Sequence, residues 1–510
     1  MKKIIALSAV AFLSTSAFAS SDMQSKLDAL MQRMAQMEQT QQAKIDSLTA
    51  KIVEMEKNQI EIVKTAKDSE LAILKKKIEK VEKKQAKQSK KISAVNKLAN
   101  KDNLKFDVDF RTSYDNIRYK TASGKTNTNN GLYSNRLWLN MAYAPTKELM
   151  FKGTLGFNKA FGASPYNSAG TAPQRGYGYD AFDWVVNENL TDDTLRVREA
   201  YWLWMPTLAG RGYTFSAGRR PATNGFLTNL RDDDKAKSPM GHIINMEFDG
   251  VSASVKTGDI VEGSYLKLCL GRGLTNAKAR FDQTGLDYST DGNNLDNMDL
   301  IGAIAKLYDD GQYTAFAKYY RAFNVIGNDM SSGTPTLATF GDMDGAALSL
   351  QVSGIGDEIN DFLDETTVFA SVAWSNTRPD NKPMLGSNDN ESGTSIYLGV
   401  QMPNLTGGKF GLEYNHGSKY WRPFTYAEDS MIGSKMAVRG NAYEAYWSQP
   451  LIDKIFSMQV RYTYLDYTYT GSNAFFGDGG TPMTMNKAQD MGMDPVETAQ
   501  DIRVYFRYRY

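Results

Sequence analysis

The chain has little from which to build a metal or redox centre. Its 510 residues include one cysteine, Cys269, and two histidines. A disulfide within the chain is therefore impossible, and a protein-built zinc, iron–sulfur or haem site lacks ligands. No CxxCH haem-attachment motif occurs. The formal net charge is +1, which argues against a polycation built for nucleic acid, and no cofactor is implied. Beyond the first twenty residues no stretch has the apolar length of a membrane-spanning helix, about 20 residues. From Ser20 to Lys105 there is no aromatic residue, glycine or proline, while the remainder is rich in all three. So sharp a break in composition marks a domain boundary.

The first nineteen residues are expected to be a secretion signal. Lys2 and Lys3 supply the positive region, Ile4 to Leu13 the short apolar stretch, and Ala17-Phe18-Ala19 the small-x-small cleavage site. Ser20, not cysteine, follows the cut, so the pattern is not that of a lipoprotein. Residues 20–100 are expected to form a periplasmic coiled-coil stem. Leu27, Leu30, Met34 and Met37 set a heptad seam. Ile45, Leu48, Ile52, Met55 and Ile62 resume it, and Leu71 to Val95 continue it, with stutters near residues 41 and 66. As a helix, residues 22–99 span about 115 Å at 1.5 Å per residue. Nine lysines crowd into Lys75–Lys91. They form a solvated coiled-coil face or a contact with anionic cell-wall polymer. The stem carries 17 cationic against 11 anionic side chains, and residues 101–510 carry 40 against 47. The near-zero total hides a basic stem and an acidic body.

From Leu104 the apolar period changes from 3.5 to 2. In LKFDVDFRT, Leu104, Phe106, Val108 and Phe110 share one face and Lys105, Asp107, Asp109 and Arg111 the other. NRLWLNMAY, LRVREAYWLW, GSYLKLCLGRG and MQVRYTYLDYTY repeat the alternation of half-buried strands. Short turns at Pro145–Lys147, Pro206–Arg211, Thr257–Val261, Asp309–Gly311, Gly356–Phe362, Pro403–Gly407 and Gln449–Lys454 alternate with long polar segments. Those lie near 120–131, 161–193, 220–241, 272–297, 324–342, 376–393, 417–436 and 471–499. The fold class expected is mainly β. Residues 104–510 should form a closed antiparallel transmembrane β-barrel of about sixteen strands (16–18), preceded by the long helical coiled coil. A secreted sandwich or propeller would also alternate, but has no need of the long–short rhythm.

The last strand reads DIRVYFRYRY, with Ile502, Val504, Phe506, Tyr508 and Tyr510 on a lipid face and arginines on the other. It resembles the C-terminal signal read by the outer-membrane assembly machinery. Phe506, Tyr508 and Tyr510 carry that likeness, with tyrosine in place of the usual final phenylalanine. Three longer stretches, NRLWLNMAYAPTKELMFKGTLGF near residue 135, REAYWLWMPTLAGRGYTFSAGRRPATNG from 198 and INMEFDGVSASV from 244, carry a wider one. Over residues 104–510 the chain resembles a bacterial porin, and more closely an uncharacterised domain-of-unknown-function family of porin-like outer-membrane proteins. That resemblance implies the bacterial outer membrane, lipid contact, a homo-oligomer with a trimer favoured, and a stem in the periplasm.

A sixteen-stranded barrel is wide enough for an aqueous channel. Inward candidates are Asp107, Asp109, Arg111, Arg136, Trp138, Arg196, Arg198, Lys267, Glu413, Arg461, Arg503, Arg507 and Arg509. Arginines on a pore wall favour anions, whereas acidic segments such as Arg231-Asp232-Asp233-Asp234, placed at the mouth, attract cations; selectivity stays open. Arg219-Arg220-Pro221 begins a segment that could fold inward as a constriction, or could be a strand end near lipid phosphate. Asp287, Asp291 and Asp296 are a weak calcium candidate, off the EF-hand spacing. His242 and His416 fall near outer strand ends with no serine elbow beside them, so no enzyme is expected. The leading function is a passive channel for small hydrophilic solutes or ions. The alternatives are an envelope tether acting through the lysine-rich stem, and a barrel sheath around an electron-transfer partner.

Overall fold

The computed structural model describes residues 104–163, 190, 193–220, 224–236, 241–245, 248–281, 283–290, 295–334, 336–356, 359–425, 430–473 and 476–510. The expected signal peptide (1–19) and coiled-coil stem (20–100) lie outside the described residues.

Sixteen strands follow one another around a closed sheet. They are β1 (Leu104–Thr121), β2 (Thr126–Tyr143), β3 (Leu149–Ala160), β4 (Arg196–Trp204), β5 (Arg211–Arg220), β6 (Phe248–Lys256), β7 (Tyr265–Leu274) and β8 (Met298–Asp309). The second half comprises β9 (Tyr313–Asp329), β10 (Thr336–Ser353), β11 (Thr367–Pro379), β12 (Ser392–Pro403), β13 (Lys409–Gly417), β14 (Gly440–Ile452), β15 (Phe456–Tyr467) and β16 (Val496–Arg509). Each strand pairs antiparallel with the next, and β1 closes on β16 in the register Phe110↔Tyr508 and Asp115↔Arg503. Closure leaves no row of unpaired N–H and C=O groups, the condition for strands to sit in hydrocarbon.

The period-2 pattern sorts side chains as expected. On β16, Ile502, Phe506 and Tyr508 are 41–47% exposed on the outside, while Arg503 is fully buried inside. Trp202, Trp204, Leu266, Leu268, Leu398, Leu412 and Trp447 continue the apolar exterior. All seven expected short turns join strands at one end of the barrel. Two of the eight long segments are not loops. Residues 120–131 contain the end of β1, a four-residue turn and the start of β2, and residues 324–342 likewise hold the ends of β9 and β10. These strands reach 17 or 18 residues, well beyond the 9–11 that cross a bilayer. At the start of β2 both faces meet water, so the polar run Thr126–Asn130 keeps the ladder while losing the alternation. In the outer parts of β1, β9 and β10, by contrast, the inward Ile117, Val325, Ile326, Ala338 and Phe340 are buried in apolar clusters.

The inner wall is thinned where an aromatic ring lies over a glycine directly across the ladder. Tyr320 pairs with Gly345, Phe369 with Gly399, Tyr446 with Gly411 and Trp138 with Gly156. A Cβ on Gly411 would sit 2.1 Å from the Tyr446 ring, and one on Gly399 2.2 Å from the Phe369 ring. Flat rings leave room for chain inside the barrel. The main apolar core lies there, where Phe316, Tyr320, Met343 and Phe369 of the wall meet Phe226, Ile243, Trp421 and Phe424 from the long connections. Gly411→Val is expected to displace the Tyr446 ring and destabilise the barrel by about 1–3 kcal/mol, whereas Gly131→Ala, with open space around it, should be neutral. Urea unfolding of the detergent-refolded variants, followed by tryptophan fluorescence, checks this.

Candidate functional site

Among the described residues, the connections between β5 and β6 and between β13 and β14 enter the barrel from the long-loop end, with Met384, Leu385 and Phe476 of two further connections packed in the same core. The one between β5 and β6 carries Phe226-Leu227-Thr228-Asn229-Leu230 and His242-Ile243-Ile244, too apolar for a solvated loop. Leu227, Ile243 and Ile244 are buried, each contributing about 1.5–3 kcal/mol on leaving water. The one between β13 and β14 runs beside it. Phe424 N donates to Ile243 O (2.9 Å), and Asn245 N donates to Phe424 O (2.7 Å).

Polar groups of the wall seize the tip of the first insertion. Gln401 Nε2 donates to Leu230 O (2.7 Å) and Gln459 Nε2 to Arg231 O (2.8 Å). Arg507 donates to Asp232 O (3.0 Å) and to the Asp234 carboxylate (2.9 Å), which Arg509 also contacts (2.7 Å). Arg231 reaches Glu444 Oε1 at 3.2 Å. Glu444 also holds Lys435 (2.5 Å), accepts from Thr463 (2.8 Å) and lies 4.0 Å from Arg461. Lys435 bridges to Glu413, which accepts from Tyr397 Oη at 2.6 Å. One buried carboxylate thus joins both insertions to β14 and β15.

The charged residues expected on the lumen wall are therefore inside, but mostly not in water. Asp109, Arg111, Arg136, Arg198, Glu413, Arg461, Arg503 and Arg507 are buried; Arg196, Lys267 and Arg509 are half-buried; Asp107 is exposed near the start of β1. Arg503 pairs with Asp115 (2.5 Å), Arg507 Nε with Asp109 (2.9 Å), and Arg136 lies 3.6 Å from Asp109. Trp138 is held between the guanidinium groups of Arg136 and Arg198, 3.5 and 4.1 Å from its ring. The acidic run at Arg231–Asp234 is not at the mouth. It is drawn to the opposite end by Arg507 and Arg509, three and one residues from the end of the chain. Phe506, Tyr508 and Tyr510 lie exposed, and Tyr510 pairs with Val108 through its backbone.

His242 is not a loop-end histidine. It is buried, with Nδ1 2.8 Å from Ser371 Oγ and Nε2 2.9 Å from Ser395 Oγ. Burial drives its pKa down to about 3, so it is a neutral clasp between insertion and wall. His416 faces outward beside Asn441 (3.0 Å). Of the calcium candidates, Asp287 accepts from Phe281 N (2.7 Å) and Asp296 is exposed; Asp291 lies outside the described residues. Among the described residues no three potential ligands come together around a metal position. Sequence reasoning passed over Glu444, Asp115 and Lys435. The inward position of Glu444 in the alternation of GNAYEAYW was the available signal.

The fold is thus a closed sixteen-stranded barrel, apolar outside, with polar and inserted chain within. The chain belongs to the family described as protein of unknown function (DUF3373), whose model matches residues 126–510. No curated protein matches. Among solved structures it is similar to OmpT, an outer membrane protein of Vibrio cholerae (12% identity, covering 80% of this chain and 97% of that one, TM-score 0.42). Salmonella typhi OmpF in complex with daunomycin (12%, 80% and 99%, 0.43) and an anion-selective porin from Comamonas acidovorans (11%, 80% and 99%, 0.42) are further structures it is similar to.

Removing the Glu444 charge takes a shared anion from Arg231, Lys435 and Arg461 at once, leaving Lys435 with Glu413, whereas removing Arg231 leaves Glu444 its other cations. Glu444→Gln is expected to destabilise the folded barrel by roughly 3–5 kcal/mol, the range for breaking a buried pair, and Arg231→Met by clearly less. Chemical unfolding in detergent measures both.

Proposed function

We propose that the protein is a porin of the bacterial outer membrane: a passive channel for small hydrophilic solutes or ions, constricted by the segment between β5 and β6. The observation that carries the reading is the pairing of an apolar exterior with an arginine-bearing inner wall, facing an insertion tied down by Arg231, Asp234 and His242. Catalysis has no part in it. Asp109, Arg111, Arg136, Arg198, Glu413, Arg461, Arg503 and Arg507 are packed in the inner wall and hold the constriction in place, while the half-buried Arg196, Lys267 and Arg509 and the exposed Asp107 line the route that solutes follow. The short turns and both barrel termini face the periplasm. Phe506, Tyr508 and Tyr510 meet lipid and carry the signal for the assembly machinery. Residues 20–100 form the periplasmic stem, which associates the chain with copies of itself, a trimer being favoured, and offers its nine clustered lysines to the cell wall.

Because the interior charges are buried in pairs, the channel is narrow as it stands. In planar bilayers the purified protein should give discrete, salt-dependent conductance steps smaller than those of an open sixteen-stranded barrel. Steps should grow when Arg231→Ser and Asp234→Asn release the insertion, and persist when residues 22–99 are deleted. Absence of steps from both the wild type and the released variant would overturn the reading.

A further inference from the structure

The part of the wall formed by β5–β9 differs from the arginine-bearing part. Its inward positions carry Arg220, Lys267, Lys306 and Lys318. The carboxylate on this inner face is Asp309, at the end of β8, and it is taken by Lys306 at 2.5 Å. The other acids of these strands are committed elsewhere: Asp249 lies 3.8 Å from Arg219, Asp299 is bound by Arg272 (2.7 Å), and Asp329 by Lys382 (2.6 Å).

Lys318 stands out. It is 6% exposed, in the middle of β9, and no hydrogen bond or ion pair to its ammonium exists among the described residues. The ladder places Lys318 beside Ile304, Ile304 beside Lys267, and Lys267 beside Ser254. One row further along, Cys269 faces Ser252 and Ser252 faces Ser216. Strands are about 4.8 Å apart, so the two ammonium-bearing strand positions are about 10 Å apart, with small side chains of β5 and β6 beside them. Lys267 lies within electrostatic reach of both Lys318 and Arg220. Arg220 rests over the Tyr201 ring at 4.4 Å and donates to Ser216 Oγ.

A buried ammonium without an anion is unfavourable by several kcal/mol. Two further cations lie on the same inner face; Glu199 of the neighbouring β4 is within electrostatic reach of Arg220, but no carboxylate of β5–β9 is paired with Lys318. We infer that the inward face of β5–β9 is a binding site for a small oxyanion, a phosphate or carboxylate group. Lys318 is its central ligand, Lys267 and Arg220 supply charge, and the hydroxyls of Ser252 and Ser254 supply hydrogen bonds. Charge-assisted bonds of this kind favour an oxyanion over a neutral solute. The inference deepens the channel reading by naming a solute class, yet binding can be read without conduction.

The test is calorimetric titration of the full-length protein in detergent with inorganic phosphate, at constant ionic strength. Saturable binding is expected, about tenfold or more weaker in Lys318→Met and largely retained in Lys318→Arg. Lys267→Met should weaken it as well, and substitutes if Lys318→Met does not fold. No saturable binding by wild-type protein overturns the site, as does unchanged affinity in a folded Lys318→Met barrel, whatever the bilayer records show. Lysine-dependent phosphate binding by a barrel that never conducts would uphold the site and remove the channel.

Discussion

The interior of this barrel depends on a few charges that cannot be left alone. Once the segment between β5 and β6 turns inward, Arg231 leaves water and must meet a carboxylate. Glu444 is that carboxylate, and Lys435 from the second insertion shares it. Asp234 plays the converse part at the other end, drawn between Arg507 and Arg509. Each of these groups would be costly to bury unpaired, so the insertion has one seat that satisfies them and few that come close. The net stabilisation from such buried pairs is small; their effect is to fix where the inserted chain lies. Apolar burial of Leu227, Ile243, Ile244 and Phe424 supplies the driving force.

The wall has to accommodate what enters it. Cross-strand glycines let Tyr320, Phe369 and Tyr446 lie flat, and these rings face the inserted segments. The inner surface therefore divides. On the side of β8–β12 it is apolar and packed. On the side of β14–β16 and β1–β3 it is a lattice of arginines and acids. Where the two meet, β5–β7 and the adjoining β8 and β9 present Arg220, Lys267, Lys306 and Lys318 to a face where Asp309 is already engaged by Lys306. A plain water-filled cylinder would need none of these distinctions.

Much of the fold was legible in the sequence, because lipid outside and polar groups inside impose a period of two. Ile502, Phe506 and Tyr508 against Arg503 and Arg507 is that rule in its barest form. The pattern failed where its cause is absent. Above the apolar band both faces of the start of β2 meet water and the alternation that marks a strand disappears; at the outer ends of β1, β9 and β10 the inner face is covered instead, around Ile117, Val325, Ile326 and Phe340. It was also blind to the difference between a wet interior and a filled one, since both put arginine and aspartate on the inner face. Arg111, Arg198 and Arg461 are inside as read, yet buried. The clue lay in the connections: Phe226-Leu227 and His242-Ile243-Ile244 are a core's composition, not a surface loop's. The pairing of Asp234 with Arg509 joins residues 275 positions apart and had no local signature at all.

The most direct test of this account is whether the β5–β6 segment reaches the terminal strand. With Cys269 replaced by serine, cysteines at positions 233 and 509 can be treated with a short bifunctional thiol reagent in the folded, detergent-solubilised barrel, while Asp234 and Arg507 remain in place. The account predicts an efficient intramolecular crosslink in the folded state that is lost on denaturation. A folded barrel in which both thiols are labelled but never joined would contradict it, for the segment would then lie outside the barrel and the buried charges would have other partners.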